Sequence, residues 1–470
     1  RKQTGSFYTP REIVNYMVDE SLKAYLKEQI VIKSVMNSDD AEIALDFLIG
    51  YNDKEHLFDE KQSIFLINAI DNCKILDPAC GSGAFPMGIL HKLVHILHKL
   101  DPNNKLWKEK QIEKANLIDD SEIREKLIED IETAFNSNEL DYGRKLYLIE
   151  NCIYGVDIQP IATQISKLRF FISLVVDQKV NKKTDNFGIR PLPNLETKFV
   201  TANTLIGIEK PPKQLTLFDL SNIQELEKQL KDIRHRLFSA KTPSTKKKLR
   251  DEDRRIREEM SKILEEIGWS NKSAQQLAKW DPYNQNISTD WFDQEWMFGI
   301  EKGFDVVIGN PPYIRADNPT IAELRKQIMD SKQYETLWEK WDLYVAFLEK
   351  SFKLLKDKGV IDFIIPDAFI ASKYAEKPHK YYLENSLINR IDFLSEIKVF
   401  DAAVKNIIIE IKKDKNSIHT PRRFKHVDQF NNKIVLPTKK QFELSEYTFK
   451  IKIEKSIIGN FQNCHEWGKI

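Results

Sequence analysis

The sequence predicts an α/β fold: a doubly wound, mostly parallel, seven-stranded Rossmann-like sheet with a helical-hairpin insertion. Three observations carry that expectation. Short apolar runs of β type alternate with helical stretches, the pattern of strand–helix–strand units. The first strand-to-helix turn holds two glycines, Gly81 and Gly83. Between the third and fourth strands the apolar residues recur at heptad spacing, which belongs to packed helices and not to a sheet.

Each element follows from its residues. Thr9 is expected to cap the first helix, with Pro10 at its first position and Glu12 three residues past the cap, a capping box. That helix carries Ile13, Met17 and Leu22 toward Tyr25, and helical sequence continues to about Asn72. Strands are expected over 74–77, 153–157, 198–203, 304–308, 359–365, 388–394 and 406–411. Apolar helices follow the first two, over about 85–100 and 160–176. The insertion, about 208–300, contains Ile223, Leu226, Leu230, Ile233 and Leu237, then Leu249, Ile256, Met260, Ile263 and Ile267. Thr242-Pro243-Ser244 separates the two sets, so they read as an antiparallel hairpin. It is either a scaffold packing on itself or a contact arm tipped by Lys246-Lys247-Lys248. After the last strand, Lys412, Lys413, Lys415, Arg422, Arg423 and Lys425 form a basic exit, read either as solvated surface or as a phosphate-tracking segment.

The bulk numbers exclude several classes. A chain of 470 residues with 41% hydrophobic and 30% charged content is globular, not disordered. No apolar run approaches the roughly 18 residues that span a bilayer, and no signal-peptide pattern follows Arg1. Cys73, Cys80, Cys152 and Cys464 lack metal or redox spacing, which suits a reducing cytoplasm. His91, His95 and His98 share a helix without a completing ligand, so no metal site is expected. A net charge of +1 leaves any nucleic-acid face to local charge segregation.

The chemistry concentrates at strand ends. Asp77-Pro78-Ala79-Cys80-Gly81-Ser82-Gly83 lets backbone approach a ligand ahead of a helix N-terminus. Gly-x-Gly alone is weak evidence, and Pro86 stands where a dinucleotide-binding turn would carry its third glycine. Asp157 ends the second strand, where a carboxylate can accept from both ribose hydroxyls. Asn203 ends the third and can pair with an adenine edge. Together these suit a nucleoside with a short charged tail, and S-adenosylmethionine fits better than NAD. Phe304-Asp305-Val306-Val307-Ile308-Gly309 then runs into Asn310-Pro311-Pro312-Tyr313. Two prolines can neither continue a ladder nor donate, so the carbonyls of Asn310 and Pro311 lose routine partners. With an amide and an aromatic ring beside them, they suit a flat, amino-bearing group such as adenine.

Phe7-Tyr8-Thr9-Pro10, the glycine turn, Asp157 and Asn310-Pro311-Pro312-Tyr313, in this order, resemble the gamma-group DNA adenine-N6 methyltransferases. The resemblance covers roughly residues 5–411. It is nearest to the methyltransferase part of Eco57I-like, type IIG restriction–modification enzymes and related phage-exclusion methylases. It implies a Rossmann-like methyltransferase domain over 1–413, with 414–470 a basic linker and the start of a target-recognition region. It implies S-adenosylmethionine as cofactor, with Tyr8 and Thr9 at its methionine end. Asp77, Ala79, Gly81 and Gly83 would line the amino-acid moiety, Asp157 and Ile158 would hold ribose and adenine, and Asn203 the adenine edge. Asn310, Pro311, Pro312 and Tyr313 would be the catalytic motif, with Tyr313 and Phe400 stacking on a flipped target base. Asp401 stands where the family often has proline. The implied partner is double-stranded DNA, with linked nuclease and target-recognition domains outside this sequence, in the cytoplasm. Alternative readings are a protein-glutamine or RNA-adenine methyltransferase, or a non-catalytic DNA-binding scaffold.

Overall fold

The structure is a computed structural model. It describes residues 8–431 except 53, 117–120, 122–123, 126–127, 130–131, 133–139, 179, 181, 183–186, 188, 190–191, 210–216, 241, 267, 285, 316, 401–403 and 415–419. Asp401, Lys415, Ile267 and Cys464 lie outside the described residues.

Among the described residues eight strands form one sheet in the order β3-β2-β1-β4-β5-β7-β6-β8. They are β1 (Ile75–Asp77), β2 (Ile153–Asp157), β3 (Phe199–Thr201), β4 (Phe304–Gly309), β5 (Leu355–Pro366), β6 (Leu387–Phe393), β7 (Asn406–Lys412) and β8 (Thr420–Arg423). The seven expected strands are present. β8 is an addition, parallel to β6. Only β7 runs against its neighbours. The five strands from β3 to β5 are parallel.

The strands read as continuous apolar runs because both faces are covered. Leu76, Val307, Ile361 and Phe363 point into one core, and Ile75, Val306, Ile308 and Ile364 into the other. On the second face lie α1 (Arg11–Ile32), α2 (Ser38–Ile49), α3 (Glu60–Asn72) and α4 (Ala84–Leu100). α5 (Lys105–Asn116), α6 (Leu140–Asn151) and α7 (Pro160–Val175) complete the run to β3. On the first face lies the insertion, whose hairpin is α8 (Leu217–Ser239) and α9 (Pro243–Glu266). Leu226, Leu230, Ile233, Leu249, Ile256 and Met260 are buried in that core. Asp253 links its helices and accepts from Arg234 Nε at 3.0 Å and Arg257 Nε at 2.7 Å.

Two expectations change. The first helix begins at Arg11 with Pro10 as its cap, no side chain caps it, and it runs to Ile32. The predicted capping box is absent because the Thr9 hydroxyl is used elsewhere, as described below. The basic exit is neither solvated surface nor a free phosphate track at two of its positions. Arg422 is buried against Asp392 and Glu20, and Lys412 pairs with Glu28. Phe424 and Phe430 follow it into the core, where Phe430 stacks on Tyr16 at 4.3 Å.

The order of the strands fixes where a ligand sits. The chain builds outward from β1 to β2 and β3, then returns to β4 on the other side of β1. The carboxyl ends of β1 and β4 therefore flank a topological switch point, where open α/β sheets bind ligands.

Candidate active site

The turn after β1 is held from three sides. Asp77 is buried, and its Oδ1 accepts from Ala79 N at 3.1 Å. Gly81 N donates to Asp157 Oδ2 at 2.8 Å, joining the ends of β1 and β2. Gly81 O accepts from Ser166 Oγ at 2.9 Å, Ser82 O from Arg169 Nη1 at 2.9 Å, and Pro78 O from Thr204 Oγ1 at 2.7 Å. Gly83 takes φ +79°, and a Cβ there would lie 2.9 Å from Ser166 Oγ. Glycine is required at this position by conformation and by space together.

Asp157 also accepts from Gln159 N at 2.8 Å through Oδ1. Asn203 is buried beyond β3, and its side-chain oxygen accepts from Leu205 N at 3.1 Å, which fixes its own turn. Ile158 and Tyr8 are exposed and reach the cluster through their chain neighbours Asp157 and Thr9.

The end of β4 lies directly against this turn. A Cβ on Gly309 would sit 2.9 Å from Asp77 Oδ1, so only glycine lets the buried carboxyl pack there. Asn310 follows, half-buried, and its Nδ2 donates to the Thr9 hydroxyl at 3.1 Å. That contact takes the hydroxyl the capping box would have needed. With Nδ2 turned to Thr9, the amide's Oδ1 occupies its opposite corner. Pro311 is buried and Pro312 half-buried. Tyr313 donates its hydroxyl to Ile364 O at 2.8 Å and receives Asn406 Nδ2 at 3.4 Å.

Phe400 meets Tyr313 with ring centroids 6.1 Å apart at 70°. A base held between two rings needs them parallel and about 7 Å apart, two contact distances of about 3.5 Å. In this state the two rings pack edge to face, and Phe400 is buried. Tyr344 also meets Tyr313 edge to face, with ring centroids 6.3 Å apart.

The electrostatics are one-sided. Burial pushes the Asp77 carboxyl well above its usual range. The Ala79 N–H opposes this and the Asp157 carboxylate adds to it. Burial likewise raises Asp157, against the N–H groups of Gln159 and Gly81. No cation is among the influences on either. A buried acid, Asp77, and a half-buried one, Asp157, beside a glycine turn and without a counter-charge suit a positively charged ligand. The sulfonium and ammonium groups of S-adenosylmethionine meet that requirement. Among the described residues no cluster of His, Cys, Asp and Glu could hold a metal. His95 instead faces Gly50 O at 3.1 Å, and His98 faces Arg144.

Sequence reasoning missed the residues that hold the site residues in place. Ser166 and Arg169 carry no motif and act on a turn more than 80 residues away in sequence. Thr204, beside the predicted Asn203, was the one with a local signal.

Three comparisons bear on this arrangement. The family described as Eco57I restriction-modification methylase matches residues 151–400. A Methanocaldococcus jannaschii protein named as a type II restriction enzyme and methyltransferase is 25% identical over 477 residues, covering 88% of this chain and 36% of that protein. The type II methyltransferase M.BstVI of Geobacillus stearothermophilus is 33% identical over 101 residues, 22% of this chain and 18% of its own length. The chain thus spans well under half the length of these relatives. Among solved structures, a DrdV–DNA complex aligns with 97% of this chain and 32% of its own, at 12% identity and a TM-score of 0.41.

Proposed function

The chain belongs to the Eco57I restriction-modification methylase family, and from that premise we propose that it methylates N6 of a flipped-out adenine in duplex DNA, using S-adenosylmethionine. The observation that carries this reading is the close approach of Gly309 to Asp77, so close that a Cβ would lie 2.9 Å from Asp77 Oδ1. It puts the Asn310-Pro311 acceptors next to the buried acid of the cofactor turn.

When bound, S-adenosylmethionine supplies an electrophilic methyl group on a sulfonium. Asp77 provides the negative charge that a cationic cofactor needs, Asp157 accepts from its ribose hydroxyls, and Gly81 and Gly83 let its short tail approach backbone. The exocyclic amine of adenine is a poor nucleophile because its lone pair is delocalised into the ring. Asn310 Oδ1 and the Pro311 carbonyl accept its two hydrogens. This draws the nitrogen toward sp³ geometry and turns its lone pair toward the methyl donor. Positioning and electrostatics then do most of the work, and no strong base is needed. The proton lost from nitrogen passes to solvent.

A duplex base reaches such a site only by leaving the stack, at a cost of a few kcal/mol. Tyr313 offsets part of that cost by stacking. Phe400 must swing away from its edge contact and lie parallel to Tyr313 to close over the base. The linked nuclease and target-recognition modules, and the restriction–modification setting, belong to the same proposal. They rest on the names of longer relatives.

The test is Asn310→Ala. Methyl transfer at saturating cofactor falls by about 10²–10³-fold, as when a single transition-state hydrogen-bond partner is lost. Cofactor affinity by calorimetry stays within about twofold. Substantial transfer by this variant would overturn the assignment.

A further inference from the structure

We infer that Thr9 is a positioning residue for Asn310. Its hydroxyl accepts the Asn310 Nδ2 hydrogen and so fixes which corner of the amide faces the target amine. This inference rests on the proposed function and goes beyond the contact expected between Thr9 and the cofactor's methionine end.

A primary amide is nearly symmetric in shape, yet its two corners have opposite hydrogen-bonding character. If Asn310 turned over, Nδ2 would confront the N–H of adenine, donor against donor, and the nucleophile would not be activated. Something must therefore select the orientation before the base arrives. Thr9 lies within hydrogen-bond reach of Nδ2, at 3.1 Å. It is 4% exposed, so water competes little for that contact. The hydroxyl keeps its own hydrogen to donate elsewhere, so accepting from Asn310 leaves it able to meet the cofactor as well.

Thr9 is itself held firmly. It immediately precedes α1, and α1 is locked to the sheet by buried polar contacts. Tyr16 Oη donates to Asp392 Oδ2 at 2.7 Å, and Ser21 Oγ to Asp362 Oδ2 at 3.0 Å. Glu20 pairs with Arg422 at 3.0 Å. An element pinned to β5, β6 and β8 thus delivers one hydroxyl to the end of β4.

The experiment compares purified wild type, Thr9→Val, Thr9→Ser and Asn310→Ala on the same duplex DNA. It measures kcat, cofactor Kd by calorimetry, and Tm. Valine keeps the shape of threonine and removes the acceptor. The expected result is a kcat, read at saturating cofactor, about tenfold lower for Thr9→Val, the rate equivalent of one ordinary hydrogen bond, with Tm unchanged and the loss persisting however far the cofactor concentration is raised. Thr9→Ser restores kcat to within about twofold of wild type. A wild-type kcat in Thr9→Val overturns the inference. So does a loss cured by raising the cofactor concentration, which would make Thr9 a cofactor contact alone. Failure of serine to restore the rate, or unfolding of both Thr9→Val and Thr9→Ser, overturns it in favour of a structural role. Full activity in Asn310→Ala would instead remove the proposed function beneath it.

Discussion

Two groups of acids lie in the interior of this molecule, and they are partnered differently, one by arginine side chains and the other by backbone N–H groups. Under α1, Arg390 pairs with Asp362 at 2.7 Å, with Glu410 at 2.9 Å and with Asp392. Arg422 adds a contact to Asp392 at 2.7 Å. At the carboxyl ends of β1 and β2, Asp77 and Asp157 accept only backbone N–H groups in the bonds described above. In the first group two guanidinium groups face four carboxylates, so it is compensated in part, burial still holds the Asp362 carboxyl well above its usual range, and its ion pairs tie the helix to the sheet. The second keeps its negative charge in reserve. Carboxylates held by arginine side chains are scaffold, whereas acids met by backbone N–H groups alone mark where a charged ligand is to enter.

That contrast can be broken at its structural end first. Burial works to lower the Arg390 pKa, but the carboxylates of Asp362, Asp392 and Glu410 outweigh it and hold the pKa well above its usual value. Arg390→Ala leaves several buried carboxylates facing one another. It should destabilise the fold by about 3–5 kcal/mol, measured by urea unfolding. A loss below about 1 kcal/mol would mean that the network is slack and does not pin α1.

Lys167 sharpens the contrast from the opposite sign. It is a buried cation on α7, and burial pushes its pKa down to about 8, against the pull of Glu196 and Cys80. Between about pH 8 and 10.5 the unfolded chain holds a proton that the folded chain has released. Stability therefore rises with pH across that window and is lowest below it. Lys167→Met should flatten this rise and gain up to about 3 kcal/mol at neutral pH, read from unfolding curves at several pH values. An unchanged slope would assign the rise to another group.

The smallest expected effect lies in the site itself. Because the folded pKa of Asp77 is raised, the folded protein binds its proton more tightly than the unfolded chain does. The stability this contributes is present at low pH and is lost as pH climbs above the ordinary carboxylate range of about 4. Asp77→Asn should therefore be more stable than wild type at pH 7, by about 1 kcal/mol, while cofactor binding weakens. Wild-type cofactor affinity should rise with pH as Asp77 ionises, and the variant's should stay flat by calorimetry. A variant that binds cofactor as tightly as wild type would detach Asp77 from the cofactor.

Much of this was legible in the sequence, and the illegible part has a common cause. The seven strands could be placed because each is an apolar run ending in a turn signal, a local property. Asp77, Gly81, Gly83, Asp157 and Asn310 could be named because their chemistry follows from residue type at a strand end. The misreadings came from contacts across hundreds of residues. Thr9 looks like a helix cap locally, yet its hydroxyl meets Asn310, 301 positions on. Thr420-Pro421-Arg422-Arg423 has no strand pattern, and Arg422 is buried only because Asp392 and Glu20 receive it, the latter 402 positions away. Tyr313 and Phe400 are expected to stack on a base from opposite sides, and their edge-to-face meeting with each other has no local sequence signal. Tyr313 is also tied across the sheet, its hydroxyl donating to Ile364 O in β5.

The central claim is that the Asn310-Pro311 acceptors hold an adenine amine of DNA. The measurement that tests it most directly incubates the protein with mixed-sequence duplex DNA and isotopically labelled S-adenosylmethionine. The DNA is then digested and the labelled nucleoside identified by mass spectrometry. The account predicts label in N6-methyldeoxyadenosine, absent when Asn310→Ala replaces wild type. Label in protein or RNA but not in DNA, or in a methylated cytosine, would contradict it.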